Sequence, residues 1–564
     1  MNPRAVAVVT EVAALDRELS YRLDEAVGDV GLGDRVRVPL QARTVRAWVW
    51  AQATEDPETL RPVAKWLGYG PPPRLLDLAE WVAERWCAPL ARVLVGMSPS
   101  GLVRVLPVAP LDRAATERAA YPWAPGPIHL GPTSDPLDVV LAAHEAVGSR
   151  PGTLLVLVPT VARAQRLVQR LRHRGLHVAA GEEWAEARAG WPMVVASRGG
   201  ALASIPLLSG AVVVDADDES FISQATPTWD ATSIVAERCR RDASPLWATS
   251  MLPSPALRAR GELRRDPSLV RSWPVVRVVD RRSRDPHEGV LAAPVLEAAH
   301  RALGGDEEVA VAVILQRLGT GRLMACARCG ALARCEVCAQ AEREVPEGLA
   351  CAEGHAPRPV FCRDCGATRL KRVRAGVSTL ARDVGAQLGR PVSELTRSSS
   401  SASLERVVVG TEAVFSRVHR CALVVFADFD QYLLAPRATA RREAITAVGR
   451  AGRLVGAADQ ARGSIMVQTR RGEDMVLRAL RSRDFAEVMA ADDSDARELG
   501  LAPYAYSAEV FGEGADELVV GLEAEGLLVR ASAEGWRVSG ADPLALGRAL
   551  RVRARGTSVR VKMR

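Results

Sequence analysis

Lysine is almost missing from this chain: of its 74 basic residues only Lys65, Lys371 and Lys562 are lysines, and aromatic residues make up 4%. With the heavy use of Ala, Gly and Val, that skew reads as a high-GC coding bias and is not taken as function. No apolar run approaches the ~18 to 20 residues that a bilayer needs. The longest, Gly152 to Ala162 and Val309 to Leu315, fall well short, so no transmembrane segment is expected. The start of the chain, with Glu11, Asp16, Arg17 and Glu18, lacks the cationic n-region and apolar core of a signal peptide, and export is not expected. Neither an internal repeat nor a long low-complexity tract occurs.

What is present is the composition of a globular protein, 48% apolar and 25% charged over 564 residues, enough for three to five domains. The net charge of +7 permits nucleic-acid binding without requiring it, so the distribution of charge matters more than its sum. Residues 1–105 read as a small α/β domain, with period-two strands at Arg35 to Val38 and Val45 to Trp50 and a helical apolar face from Leu75 to Trp86. Residues 106–136 carry the prolines 107, 110, 122, 125, 127, 132 and 136 and read as a linker. Two series of short apolar strands alternating with amphipathic helices follow, over 137–270 and 271–470, and imply two parallel-sheet lobes. Residues 471–564 form a last helical and α+β module, with strands expected at Glu509 to Phe511, Glu517 to Leu522 and Ser558 to Met563.

Ten cysteines occur, and seven of them crowd into an insertion of the second lobe at 324–370: Cys326-x2-Cys329-x5-Cys335-x2-Cys338-x12-Cys351-x3-His355-x6-Cys362-x2-Cys365. A Cys-x2-Cys knuckle presents two thiolates on one side of a tight turn, half of a tetrahedral zinc shell. Three such pairs and a Cys-x3-His give eight ligands, enough for two closed, structural Zn²⁺ sites. Cys87, Cys239 and Cys421 stand apart and read as small buried hydrophobes.

The chain resembles the primosomal protein N′ (PriA) family of replication-restart proteins. The resemblance rests on Leu15 to Tyr21 followed by Arg35-Val36-Arg37-Val38-Pro39, on the eight-ligand insertion, on Gly410-Thr411-Glu412, and on Gly449-Arg450-Ala451-Gly452-Arg453. It implies an α/β multidomain fold: a small N-terminal DNA-binding domain for a 3′ end, two RecA-like lobes, a zinc insertion in the second lobe and a C-terminal DNA-binding domain. It also implies interleaved ligands, one zinc on Cys326, Cys329, Cys362 and Cys365, the other on Cys335, Cys338, Cys351 and a fourth group. The family carries a cysteine at the place of Gly354; His355 is assigned here instead.

The family is an ATP-driven 3′ to 5′ helicase, and this chain departs from it. A motor needs a Gly-Lys-Ser/Thr loop to hold the triphosphate, and none occurs. The matching stretch reads Leu130-Gly131-Pro132-Thr133-Ser134-Asp135-Pro136, without a lysine and short of two amide donors. Asp215-Ala216-Asp217-Asp218 replaces Asp-Glu-Glu-His, and Thr249-Ser250-Met251 replaces Ser-Ala-Thr. The winged-helix domain has no room in 106–136, and the 3′-end pocket has Leu19-Ser20 for Phe-Asp and Gln41 for Gly. No catalytic or nucleotide-binding residue is therefore expected, nor any use of ATP and magnesium.

The expected function is recognition of stalled or abandoned forks and reloading of the replicative helicase without helicase activity. Two alternatives stand beside it, an active helicase with diverged motifs and a zinc-ribbon protein acting on RNA or transcription complexes. Implied partners are forked or branched DNA, primosome proteins, the replicative helicase and single-strand-binding protein, with a monomeric, cytoplasmic, nucleoid-associated protein expected. Candidate phosphate contacts are Arg369, Lys371, Arg372 and Arg374 beside the last knuckle, and Arg553, Arg555 and Arg560 in the acid-free stretch 548–564. Trp48, Trp50 and Trp66 read as core residues before base-stacking ones.

Overall fold

The computed structural model describes residues 4–111, 119–225, 227–282, 289–316, 324–337, 342–345, 347–351, 355–372, 377–396, 399, 403–456, 463–532 and 534–563, without the side chains of 343, 371 and 372. The architecture is α/β and multidomain. The N-terminal domain is a five-stranded antiparallel sheet in the order Glu18–Leu23, Arg4–Thr10, Arg43–Gln52, Arg35–Leu40, Lys65–Gly68, followed by the helices Leu76–Arg85 and Leu90–Met97. Its tryptophans serve packing: Trp48 is buried and donates to Ser98 Oγ at 2.8 Å, while Trp66 donates to the Asp34 carboxylate at 3.1 Å. Gln41 turns the hairpin with φ of 53°, a conformation that favours glycine and explains why the resemblance implies one at this place.

The first lobe is a seven-stranded parallel sheet in the order Arg264–Arg265, Gly126–His129, Leu246–Ser250, Leu208–Val213, Thr153–Leu157, Met193–Ala196, Val178–Ala180. It opens inside the stretch read as a linker. The proline at 127 is tolerated because the flanking short strand pairs only with Ile128 and His129, so the missing N–H breaks no ladder bond on that side. Helix Val161–His173 is capped by Thr160, whose hydroxyl accepts from Arg163 N.

The second lobe is a six-stranded parallel sheet in the order Val276–Asp280, Ser464–Thr469, Leu423–Phe426, Val311–Ile314, Val407–Gly410, Val392–Leu395. It extends past 470: helices Met475–Ser482 and Ala486–Glu498 bury Val476, Leu477, Phe485 and Val488 in its core. The last module is a four-stranded antiparallel sheet with helix Pro543–Ala554. The strand expected at Glu517 to Leu522 is instead helix Ala515–Val519 and a 3-10 turn at Leu522–Glu525. Gly514 and Gly521 precede these turns with φ of 87° and 80°, and Leu518, Val519 and Leu522 bury at helical spacing.

First and last domains meet. Gly547 of the final helix lies so near the first that an added Cβ would sit 2.1 Å from Glu84 O, and Arg551 bonds Asp16 at 3.1 Å. One apolar core runs through the N-terminal helices, a face of the first lobe and the C-terminal sheet.

Candidate functional site

Two arginine-lined regions flank the second lobe, and the first lies at its junction with the first lobe. In the first lobe, strand Leu246–Ser250 separates Gly126–His129 from Leu208–Val213, so the loops after residues 129, 213 and 250 gather at the carboxyl edge of the sheet, the usual ligand edge. The loop 130–136 is packed shut. A Cβ on Gly131 would lie 1.5 Å from Ser272 Oγ, Thr133 Oγ1 donates to Ser272 O at 2.7 Å, and Ser134 donates to Asp266.

Asp215 follows the central strand with φ of 54°, and its carboxylate is fully engaged. Arg453 reaches both its oxygens at 2.9 and 2.8 Å, and Arg163 bonds Oδ2 at 2.7 Å. Burial alone would raise the Asp215 pKa, but Arg453 and Arg163 outweigh it and hold the group well below the usual carboxylate range. Arg453 Nε also donates to Pro132 O at 3.0 Å, so this loop turns a carbonyl toward an arginine where a phosphate loop would turn amides toward an anion. Beside it Arg450 bridges Asp218 at 2.8 Å and Glu412 at 3.1 Å, which unites the Gly410–Glu412 and Gly449–Arg453 segments. Helix Ala440–Val455 approaches through its glycines: a Cβ on Gly449 would be 2.8 Å from Met251 Sδ, and one on Gly452 2.9 Å from Pro274 Cδ. The role of Arg163 left no signal in the sequence, since its register against Asp215 is set by tertiary packing.

The cysteines meet in an interleaved arrangement. Cys326 Sγ lies 3.6 Å from Cys365 Sγ and Cys329 Sγ 3.5 Å from Cys362 Sγ, close to the ~3.8 Å edge of a tetrahedron with ~2.3 Å zinc–sulfur bonds. All four sulfurs fall within 4.8 Å of one another, as do the ligand atoms of Cys335, Cys351 and His355. These two groups fit zinc: the first offers four thiolates, the second two thiolates and an imidazole, with Cys335 Sγ 3.4 Å from His355 Nδ1. Cys338 and Gly354 lie outside the described residues. The two knuckles of the first group are built alike. Gly330 N donates to Cys326 O at 3.0 Å and Gly366 N to Cys362 O at 2.8 Å, and both glycines are left-handed, with φ of 74° and 70°. The pairing of strands Met324–Cys326 and Leu370–Arg372 sets these turns side by side. Against the effect of burial, backbone N–H groups of Cys329 and Arg328 lower the Cys326 thiol, while burial pushes Cys329 and Cys362 of the same group up, so the four sulfurs share their protons unevenly. The Cys-x2-Cys-Gly form was legible in the sequence and marks these turns.

The candidate phosphate contacts divide. Arg369 and Arg560 are exposed. Arg553 pairs with Glu525, and Arg555 with Asp16 at 3.2 Å, so the acid-free stretch 548–564 finds its counter-charges elsewhere in the fold. Lys371 and Arg372 lie on strand Leu370–Arg372 with side chains outside the described set, as is all of Arg374. The sequence reading missed Arg334, Phe361 and Arg470, which line a cavity beside the knuckles.

Among solved structures, the chain is similar to a DEAD box protein from the hyperthermophile Methanococcus jannaschii at 13% identity, covering 64% of this chain and 86% of that one, with a TM-score of 0.29. It is similar to the E. coli DExH-box NTPase HrpB at 14% identity, over 62% of this chain and 39% of that one, with a TM-score of 0.29. A third similar structure is S. cerevisiae Dbp5 bound to RNA and ADP BeF3, at 10% identity, over 66% and 84% of the two chains, with a TM-score of 0.34. No curated protein matches the chain. No helix among the described residues is long and apolar enough to cross a membrane. Residues 5–99, which comprise the N-terminal sheet and its two helices, match the 3′DNA-binding domain (3′BD) of PriA.

Proposed function

We propose that this protein recognises stalled or abandoned replication forks and promotes reloading of the replicative helicase through protein contacts, without turning over ATP. The 3′ DNA-binding domain supports the DNA-binding and replication-restart part of this reading. The silent motor rests on one observation, the engagement of Asp215 by Arg453 and Arg163 across the cleft that nucleotide would enter. The arginines that would stabilise a transferring phosphoryl group are instead counter-ions to the acid that would hold its metal. The lobes then serve as a fixed frame. Two zinc ions, on Cys326, Cys329, Cys362 and Cys365 and on Cys335, Cys338, Cys351 and His355, hold the insertion rigid. Arg369, Lys371, Arg372, Arg374 and Arg560 offer charge to fork phosphates, while Arg553 and Arg555 spend theirs inside the protein.

The test compares forked DNA, blunt duplex and structured RNA at one salt concentration, with ATP hydrolysis followed in the same mixtures. Preferred binding to the fork without hydrolysis is expected. Turnover of ~1 per second or faster on forked DNA contradicts the silent motor, and equal affinity for structured RNA contradicts the fork reading.

A further inference from the structure

Leu102, Val105, Val108 and Leu111 are 58%, 81%, 94% and 87% exposed, one at every third position of the segment that leaves the N-terminal domain. Val103, Leu106 and Ala109 between them are half-buried. Single exposed valines and leucines are ordinary on a protein surface, but four in strict period are not scattered. A polyproline II helix has three residues per turn, so this period sets all four on one ridge. Two further observations agree with that conformation. Pro107 and Pro110 fix their own φ and hold Leu106 and Ala109 in extended backbone. Residues 104–111 belong to no helix or strand and make no backbone–backbone hydrogen bond among the described residues, as polyproline II makes none.

The near end of the segment is clamped to the N-terminal domain. The buried Arg35 guanidinium donates to Pro99 O at 3.1 Å and to Gly101 O at 2.7 Å, and Tyr69 N donates to Val103 O at 2.7 Å. Gly68, with φ of 123°, makes room for this contact, since a Cβ there would lie 2.2 Å from Val103 O. The ridge is therefore pre-organised, which lowers the ordering cost of binding it. Its sequence is Arg104-Val105-Leu106-Pro107-Val108-Ala109-Pro110, a Pro-x-x-Pro segment whose one charge is the exposed Arg104, without an ion pair among the described residues. At ~3.1 Å per residue, Leu102 to Leu111 spans about 28 Å, the width of one small domain.

We propose that residues 102–111 are a docking segment for a partner protein that reads polyproline II: a small domain with an aromatic-lined groove and an acidic side chain opposite Arg104. Proline rings and the apolar ridge fit a groove of aromatic rings, which exploits the preformed helix. The unpaired guanidinium supplies the complementary charge that sets the register of binding. Nucleic acid is the poorer occupant, because one arginine in this stretch offers a phosphate backbone little. This goes beyond the proposed function, since it depends neither on fork binding nor on a silent motor. A protein that binds forks but leaves this segment unused loses only the inference.

The experiment titrates the full-length, zinc-loaded protein against an SH3 domain whose groove combines aromatic rings with acidic side chains, followed by the fluorescence of the groove. Saturable binding is expected. Arg104→Glu, and Pro107→Ala together with Pro110→Ala, should each weaken it about 10-fold or more. Fork affinity and zinc content of each variant are measured alongside and should not change, because the ridge lies at the surface. A second readout leaves Arg104 and the prolines in place: a photocrosslinking phenylalanine is set at 102, 105, 108 or 111 and, for comparison, at 103, 106 or 109, in the full chain inside its own cells. Labelling of one partner protein is expected, strongest at the first four positions and lost on Arg104→Glu. A titration without saturation, or an affinity indifferent to the arginine and proline substitutions, overturns the inference. So do crosslinks that lack the three-residue period, no crosslink at all, or crosslinks to DNA, to lipid or to a second copy of this chain.

Discussion

Both sides of the second lobe are lined with arginine, yet they differ in what the arginines face. Between the lobes, Arg163, Arg450 and Arg453 are matched by Asp215, Asp218 and Glu412 and the surfaces are packed to contact. Between the second lobe and the zinc insertion, Arg334 has no ion pair among the described residues and the Arg470 guanidinium reaches Asp430 only at 4.0 Å, beside a cavity that Cys329, Cys335 and Cys362 also line. The lesson is that a count of basic residues says little about phosphate binding in a chain where arginine is cheap to encode. Pairing decides. A matched arginine is structure, and an unmatched one facing a cavity is a candidate contact.

The largest expected effect lies on the open side. Chelation of the metal should release two zinc ions per chain, and with structural zinc worth ~10 to 16 kcal/mol per site the insertion around 324–372 should lose its fold. Elemental analysis and amide exchange check this, and Cys326→Ser should reproduce the loss of the first site. A release of one ion would remove the group at Cys335, Cys351 and His355.

On the sealed side, Asp215→Ala leaves the half-buried Arg163 and Arg453 without their anion and should destabilise the lobes by about 1 to 3 kcal/mol, read from denaturant midpoints. In a working motor the same change would abolish turnover and leave stability nearly intact. The two outcomes therefore separate a lock from an engine.

Acid should loosen the same junction. His129 is buried at the end of the strand before loop 130–136, its Nε2 is 2.9 Å from Met251 O, and its ring packs edge-on to Phe485 of the second lobe. Burial pushes its pKa down to about 4, and Arg265 and Arg258 add to the shift. The unfolded chain, with an ordinary histidine near 6.5, takes up the proton first, so stability is intact above pH ~6.5 and is lost as pH falls toward ~4. The loss is about 3 kcal/mol in total. Melts between pH 7 and 4.5 should show that slope, and His129→Gln should flatten it.

The smallest effect concerns the junction of first and last domains. Gly547→Val forces a side chain against Glu84 O and should cost about 1 to 3 kcal/mol, with hydrogen exchange rising in helices Leu76–Arg85 and Pro543–Ala554 while zinc content stays constant.

Much of this was legible in the sequence. The two alternating series gave the lobes, because buried parallel strands leave apolar runs such as Val407 to Gly410 that few other structures require. The knuckle spacing carried the thiolate groups because a tight turn fixes which residues can share a metal. The start of the first lobe was hidden by Pro127, whose cost disappears only when the neighbouring strand is known to be two residues long. Helix Ala515–Val519 was masked by a run of strand-forming residues whose glycine flanks outweighed their propensity. Arg163, Arg334 and Arg470 carry no local pattern at all, since only the fold determines whether an arginine meets a carboxylate.

The central claim, that the lobes retain a motor's frame without its fuel site, is tested most directly by equilibrium binding of a fluorescent, non-hydrolysable ATP analogue to the zinc-loaded protein, with and without forked DNA. The account predicts no saturable binding in either case, and no change on Asp215→Asn. Saturable, magnesium-dependent binding that Asp215→Asn abolishes would contradict it.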